Sequence, residues 1–468
     1  MVRELNRRLT ITDASFLYVE KPNQPMHVGS GLVYEGHLSA DELIQALRDR
    51  MHLMPRYRQK VVFPPLGIDH PTWEDDPHFD VTNHVTESTL PAPGDDRVLS
   101  EVGGQRYAPM LDRDRPLWQV HVFHGRPDGN TAVVWKIHHA MVDGVSMIDL
   151  MMTLHDLQPD APPPEPPPAP WEPRPLPDPL TLAQDAVRDR LTDAARRWTE
   201  ATFRWLRPPS AEQQRPTAAP AGAPPQPPGP MPFNGQLSSR RQFAWAEFPF
   251  TEIRIIRSAL GGTINDVVLA VVAGALGRYL RAHGVRTEGL VLWAICPVSL
   301  RRADERGALG NRVSVMIVPL YAGITDPVAR LAAEREVVER LKQEDQAGTL
   351  ATMAEMGNAI PPAWQALSAQ YAPPPNPAFT SIHTASSNVP GPQIPLYLAG
   401  RKLLHWCGLA PLGGTMGLFN GIVSYNGTLA ISATVDPVLV PDVWSYTDFL
   451  REAFLELREA ARAAAPAA

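Results

Sequence analysis

Apolar positions along the 468-residue chain recur with two different periods. A period near two, or a short apolar run bounded by turn residues, marks GSGLVYEG (29–36), QVHVFHG (119–125), TAVVWKI (131–137), GLVLWAICPV (289–298), NRVSVMIVPL (311–320) and GTLAISATV (427–435) as strands. Several of these are too apolar to be exposed on either face. A period near 3.6 marks residues 39–54, 145–157, 263–284, 326–345 and 445–465 as helices, with Ser, Asp or Thr in the capping positions at their starts. Strands and helices interleave in both halves of the chain. That order predicts an α/β (α+β) protein with two lobes. No repeat at a fixed period is present.

The strongest break in this pattern is a proline-rich stretch. Of 51 prolines, 22 fall between Pro159 and Pro232. Proline at that density removes backbone donors and helical freedom, so the segment reads as a linker. The expected domains are therefore 1–158, a linker 159–232, and 233–468. Inside the linker, residues 180–207 carry apolar side chains at helical spacing, with six arginines against four acids. Two readings of this amphipathic helix stand: it packs back onto the body, or it lies in a membrane interface anchored by Trp198, Phe203 and Trp205.

Composition narrows the class of partner. A hydrophobic fraction of 44% and a charged fraction of 20% belong to a globular chain. A net charge of −7 argues against nucleic acid as the main partner. Two cysteines, Cys296 and Cys407, supply neither a disulfide framework nor a four-ligand zinc set. No apolar run has the length of a spanning helix or a secretory signal, so the expectation is a cytoplasmic protein for which a membrane surface stays open as a partner.

The candidate chemistry sits at KIHHAMVDGVSM (136–147). If the strand 131–137 persists, His138 and His139 point to opposite faces, which excludes both from one metal; no metal site is expected. Asp143 and Gly144 form a turn ahead of a helix, Asp143 serving as an N-cap or as a buried carboxylate holding an arginine. A histidine ending a buried strand beside such a loop suits a general base, since it is largely neutral at physiological pH. Buried structural histidines explain the residues equally well.

HHAMVDG matches the HHxxxDG signature of acyl-CoA-dependent acyltransferases and peptide-synthetase condensation domains. Together with TDASFLYVEKPNQPMHVGSGLVYEG, WEDDPHFDVTNHV, LDRDRPLWQVHVFHG, FNGQLSSRRQFAWAEF, TINDVVLA, PVSLR, GNRVSVMIVPL, SNVPGP and SYNGTLAISATVD, taken in order, the chain resembles the bacterial wax ester synthase/acyl-CoA:diacylglycerol acyltransferases. The resemblance implies two chloramphenicol-acetyltransferase-like lobes with mixed sheets, joined by a crossover. It also implies transfer of a fatty acyl group from acyl-CoA to diacylglycerol or a long-chain alcohol. No cofactor is expected, acyl-CoA being a co-substrate, and a membrane or lipid-inclusion surface is an expected partner. Transfer to a carrier-bound acceptor, or a non-catalytic role on lipid inclusions, are the alternatives.

Carried onto this sequence, the motif implies His139 as general base, His138 as its support, and Asp143 with Gly144 as the loop that shapes the site. Arg301 is the implied partner of Asp143, with Arg302 as fallback. Asn265 is the implied oxyanion donor from the second lobe, or else an N-cap, a role Thr263 could also fill. Ser386, Ser387 and Asn388 are expected to form a turn near the substrate, Arg240 and Arg241 to meet CoA phosphates or solvent. Trp118 of DRPLW is expected to fill core.

Overall fold

The computed structural model describes residues 7–142, 144–206, 229–299, 313–343 and 360–464. The first half runs α1 (Ile11–Val19), β1 (His27–Tyr34), α2 (Ala40–Arg50), β2 (Gln59–Val62), β3 (Thr72–Asp75), β4 (Val85–Thr89), α3 (Asp96–Tyr107), β5 (Trp118–His124), β6 (Thr131–His138) and α4 (Gly144–Leu154). After α5 (Pro179–Leu206) come β7 (Gln242–Pro249), α6 (Phe250–Leu260), α7 (Ile264–Ala282), β8 (Leu292–Ser299), β9 (Val313–Leu320), α8 (Pro327–Gln343) and α9 (Pro362–Tyr371). The chain closes with β10 (Thr384–Pro390), β11 (Tyr397–Leu398), β12 (Arg401–Leu409), β13 (Leu418–Tyr425), β14 (Thr428–Val435) and α10 (Val443–Ala464).

Each lobe is built on a six-stranded mixed sheet. The first has the order β11-β12-β1-β6-β5-β4 and the second β7-β14-β13-β10-β8-β9. In the first, only β4 and β5 pair in parallel; in the second, β10 runs parallel to both β13 and β8. All eight residues of β6 are buried, which explains why its sequence is apolar on both faces. In the second lobe the nearly all-buried α7 forms the centre of the core, started by a capping box between Thr263 and Asp266.

The two halves are not separate in the sheet. Residues 397–409 of the second half supply β11 and β12 to the first sheet, β12 pairing along β1 with Gly31 opposite Cys407. A second interlock joins α3 to β7. A side chain at Gly104 would stand 2.2 Å from the carbonyl oxygen of Arg241, so only glycine lets the helix approach this closely. Phe243 of β7 then packs into a core with Leu99, Tyr107 and Val134 of the first lobe.

The described part of the linker is tethered to the first lobe. Arg174 makes an ion pair of 3.0 Å with Asp75, and the Arg58 guanidinium lies over the Trp171 ring. Helix α5 docks through Leu182 and Ala186, which are buried, and through Asp185–Arg7, Asp189–Arg8 and Arg190–Asp69 at 2.9, 2.7 and 3.0 Å. Its start therefore packs back onto the body, while Trp198 further along is exposed. The side chains of Phe203 and Trp205 lie outside the described residues. No single described helix is long and apolar enough to cross a membrane.

Candidate active site

The histidine pair stands where β6 ends. The amide of His138 donates to Leu117 O at 2.9 Å and that of His139 to Met26 O at 2.8 Å, so the residues leading into β5 and β1 fix the backbone of both. The two rings have different surroundings, as alternation along a strand demands. His138 is fully buried; His139 is partly exposed and its ring stacks on Phe16 of α1, with centroids 4.0 Å apart and planes 12° from parallel.

Behind His138 lies a polar cluster that no sequence pattern announced. His138 Nδ1 accepts the Ala140 N–H at 3.1 Å, which leaves Nε2 as the protonated nitrogen of the neutral ring. Glu20, at the end of α1, places Oε1 3.5 Å from that nitrogen and 3.4 Å from His27 Nε2. At such distances the contacts are electrostatic more than good hydrogen bonds. The carboxylate's hydrogen bonds come from Met26 N at 3.1 Å and Arg113 Nη2 at 3.0 Å. Burial opposes the charge on Glu20, yet His138, His27 and the Met26 amide together hold its carboxyl far below the usual carboxylate range. His27 is pushed down to about 4 by burial, against the pull of Glu20.

Lys136 shares a face of β6 with His138. Its buried ammonium donates to Pro109 O at 2.9 Å and Arg106 O at 3.2 Å, and burial lowers its pKa to about 8 while the Glu20 charge works the other way. Arg113 also caps α1 by donating to Leu17 O at 2.7 Å. Three sequence blocks thus converge: the opening helix supplies Phe16 and Glu20, LDRDRPLW supplies Arg113 and Leu117, and KIHHAMVDG supplies the pair. The antiparallel register of β1 on β6 sets His27 opposite His138. That register is the signal that would have exposed the cluster, and it is not readable from one strand alone.

In the second lobe the N-cap of α7 is Thr263, whose hydroxyl accepts the Asp266 N–H at 3.2 Å. Asn265 is therefore not the cap. Its Oδ1 accepts from Asn388 Nδ2 at 3.4 Å, which brings together two of the expected site residues from α7 and β10. The run Ser386–Asn388, expected as a turn, is instead the middle of β10, paired with β13 in the register Ser387 to Gly421. The strand wins because β13 supplies ladder partners from Ala385 to Pro390, while β8 flanks the start of β10 at Thr384 and Ala385.

Arg240 and Arg241 part company. Both border a cavity of about 490 Å³ at the junction of α3 and β7, whose lining also holds Glu101, Gln105 and Pro109. Arg240 is exposed there. Arg241 is buried, its guanidinium donating to the carbonyls of Ser238, Arg240 and Asn23 at 2.8, 2.7 and 2.8 Å. Those bonds make Arg241 a tie between lobes and spend most of the fork expected to meet phosphate.

Trp118 is buried, donates its indole N–H to Tyr57 O at 2.9 Å and stacks on His84, as a core residue does. Gly144 opens α4. Asp143, Arg301 and Arg302 lie outside the described residues. Among the described residues no group of three or more His, Cys, Asp or Glu is arranged to hold a metal ion. Both cysteines are buried, and burial pushes each thiol up to about 12.

Residues 9–268 match the wax ester synthase/diacylglycerol acyltransferase catalytic domain, and residues 309–458 the WS/DGAT C-terminal domain. The chain is similar to a candidate diacylglycerol O-acyltransferase of Mycobacterium tuberculosis H37Rv, 34% identical over 97% of this chain and 90% of the relative. A second from the same strain is 34% identical over 98% of both chains. Among solved structures, the wax ester synthase/diacylglycerol acyltransferase of Marinobacter aquaeolei VT8 superposes with a TM-score of 0.68 at 25% identity, covering 97% of this chain and 100% of that one. The first condensation domain of the CDA synthetase shares the fold, with a TM-score of 0.58 at 16% identity over 99% of this chain and 98% of that one. With both of its halves matched in order, and the histidine pair set at the end of a central strand, the chain belongs to the wax ester synthase/diacylglycerol acyltransferase family.

Proposed function

We propose that this protein is an O-acyltransferase that moves a fatty acyl group from acyl-CoA to diacylglycerol or a long-chain alcohol, giving triacylglycerol or wax ester and free CoA. One observation carries the reading: of two adjacent histidines on one rigid strand end, His138 is sealed in a polar cluster while His139 keeps access to solvent and a ring held by Phe16. That division gives one imidazole to support the backbone and one to exchange a proton.

In the reaction, His139 takes the proton of the acceptor hydroxyl as its oxygen attacks the thioester carbonyl. The tetrahedral intermediate collapses with cleavage of the carbon–sulfur bond, and the CoA thiolate leaves with the proton returned by His139. Asn265 donates its amide N–H to the developing oxyanion, a contact worth about 3 kcal/mol in sites of this kind. Asp143 and Gly144 shape the loop after the base. Two buried thiols with raised pKa values favour direct transfer over a cysteine-linked acyl-enzyme. Arg240, at the mouth of the interlobe cavity, is the cation available to the CoA phosphates.

The test is purified protein with palmitoyl-CoA and either hexadecanol or a diacylglycerol, CoA release being followed with a thiol reagent. Release with either acceptor, abolished by His139→Ala, supports the reading. Release only with an amine or carrier-bound acceptor, or none with any acceptor, rejects it.

A further inference from the structure

Helix α8 packs beside α7 and brings to it a buried acid that the proposed reaction does not use. Glu334 of α8 is fully buried. Its Oε1 accepts the Tyr321 N–H at 2.7 Å, while its Oε2 has no hydrogen-bond partner among the described residues. Asp266, in the first turn of α7, is also half-satisfied. Its Oδ2 accepts the Thr263 N–H at 2.8 Å and completes the capping box, and its Oδ1 is buried with no hydrogen-bond partner among the described residues. The residue after Glu334, Arg335, lies across the turn that leads into α7. A side-chain carbon at Gly262 would stand 3.3 Å from Arg335 Cδ and 3.1 Å from Asp266 Oδ2, so α8 meets the start of α7 at this point.

The cation on the same helix is committed elsewhere. Arg330, one turn before Glu334, donates to Ala270 O at 2.9 Å, Ile324 O at 2.9 Å and Thr325 O at 3.3 Å. Burial pushes the Glu334 carboxyl well above the usual carboxylate range; Arg330 offsets part of this, and the Asp266 charge adds to it. Two carboxylates sharing one unsolvated site do not both ionise cheaply. The titratable and charged groups that face Glu334 are Asp266 of α7, Cys296 of β8, Tyr321 after β9 and Arg330. Arg330 in turn faces Arg278 and Arg281 of α7 and Glu456 of α10.

We infer that Glu334 is a positioning residue for the reaction: it keeps its proton in the folded protein, and as a neutral side chain it seats α8 against the first turn of α7 and so fixes Asn265. The inference rests on the proposed role of Asn265 at the oxyanion. Ionised, the same side chain would set a second unsolvated charge against Asp266 and disturb the capping box one residue from the Asn265 amide.

Glu334→Gln in the full chain keeps the shape and the acceptor for Tyr321 but cannot ionise. At neutral pH its kcat for CoA release should stay within about twofold of the parent's. At about pH 9, where buried glutamates of this kind ionise, the parent's kcat should fall about tenfold below the variant's, with KM for acyl-CoA unchanged. In an Asn265→Ala background that difference should vanish. Two readings need no turnover, so they separate this inference from the proposed reaction. Infrared difference spectra of parent against variant at neutral pH should show the carbonyl stretch of a protonated carboxylic acid. At the alkaline pH, amides in the first turn of α7 should exchange faster in the parent than in the variant. Absence of the acid band, equal exchange, matching alkaline profiles or a loss of activity in Glu334→Gln at neutral pH would overturn the inference. So would an alkaline difference that survives Asn265→Ala.

Discussion

Glu20 Oε1 lies 3.5 Å from His138 Nε2, inside a shell that excludes water from both groups. Among the described residues, this carboxylate is the acid paired with Arg113, and it faces His27 as well. Glu20→Gln keeps the shape and removes the charge. Arg113, the cation left without its partner, is 34% exposed and can turn to water, so the loss is about 1 to 3 kcal/mol, less than for a fully buried pair. Urea unfolding should show a loss of that size, and acyl transfer should fall with it as the β6 end loses its support. A variant as stable as the parent would show that the cluster is spectator chemistry.

Phe16 offers a narrower test. Its stacking on His139 is an aromatic contact of the kind worth about 0.5–1.5 kcal/mol. If that energy is spent on holding the imidazole in its reactive orientation, Phe16→Leu lowers kcat by about 2- to 10-fold and leaves KM for acyl-CoA nearly unchanged. A change confined to KM would assign Phe16 to substrate binding instead.

Thr263 and Asn265 stand two residues apart at the start of α7 and should respond oppositely. Thr263→Ala removes the N-cap and costs about 1 kcal/mol of stability with little effect on kcat. Asn265→Ala leaves the cap intact and should lower kcat by about 10²- to 10³-fold at unchanged stability. Thermal unfolding and steady-state CoA release, measured on both variants, separate the roles. Equal behaviour of the two would remove Asn265 from the proposed chemistry.

Stability should depend on mild acid. His27, His70, His121 and His155 are each pushed by burial to about 4, below the ordinary value of 6.5. The unfolded chain takes up these protons first, so stability is complete above about pH 6.5 and is lost as pH falls toward 4. A single group of this kind removes roughly 2 kcal/mol by pH 5. Thermal unfolding at pH 7 and pH 5 should show a marked fall in Tm, and identical values would mean that these rings are protonated in the folded protein.

Much of this was legible in the residues. Alternation in TAVVWKIHH correctly separates the environments of His138 and His139, because side-chain direction along a strand has a strict period of two. The helices at 263–284 and 445–465 are long and strongly periodic, and the structure has Ile264–Ala282 and Val443–Ala464. SSNVPGP is rich in turn formers and so suggests a turn, a local preference that pairing with β13 along Ala385–Pro390 overrides. Glu20 and His27 escaped notice because their meeting with His138 depends on the register of β1, a contact spanning more than a hundred residues. Arg241 resembles a phosphate ligand by its type alone; which carbonyls surround it is decided by the approach of Asn23, ahead of β1, to the segment that leads into β7.

The strand exchange between the halves has a consequence for how this chain comes into being. During synthesis from the N-terminus, the β1 edge is complete on its β6 side once residue 138 has left the ribosome, but its other partner arrives only with Arg401–Leu409. Between the emergence of residue 138 and that of residue 401 the nascent first lobe therefore presents an open row of amides and carbonyls, the kind of edge that invites pairing between chains. Final closure of the first lobe waits on residues 401–409, and truncated products ending in the proline-rich segment would be born with that edge unguarded.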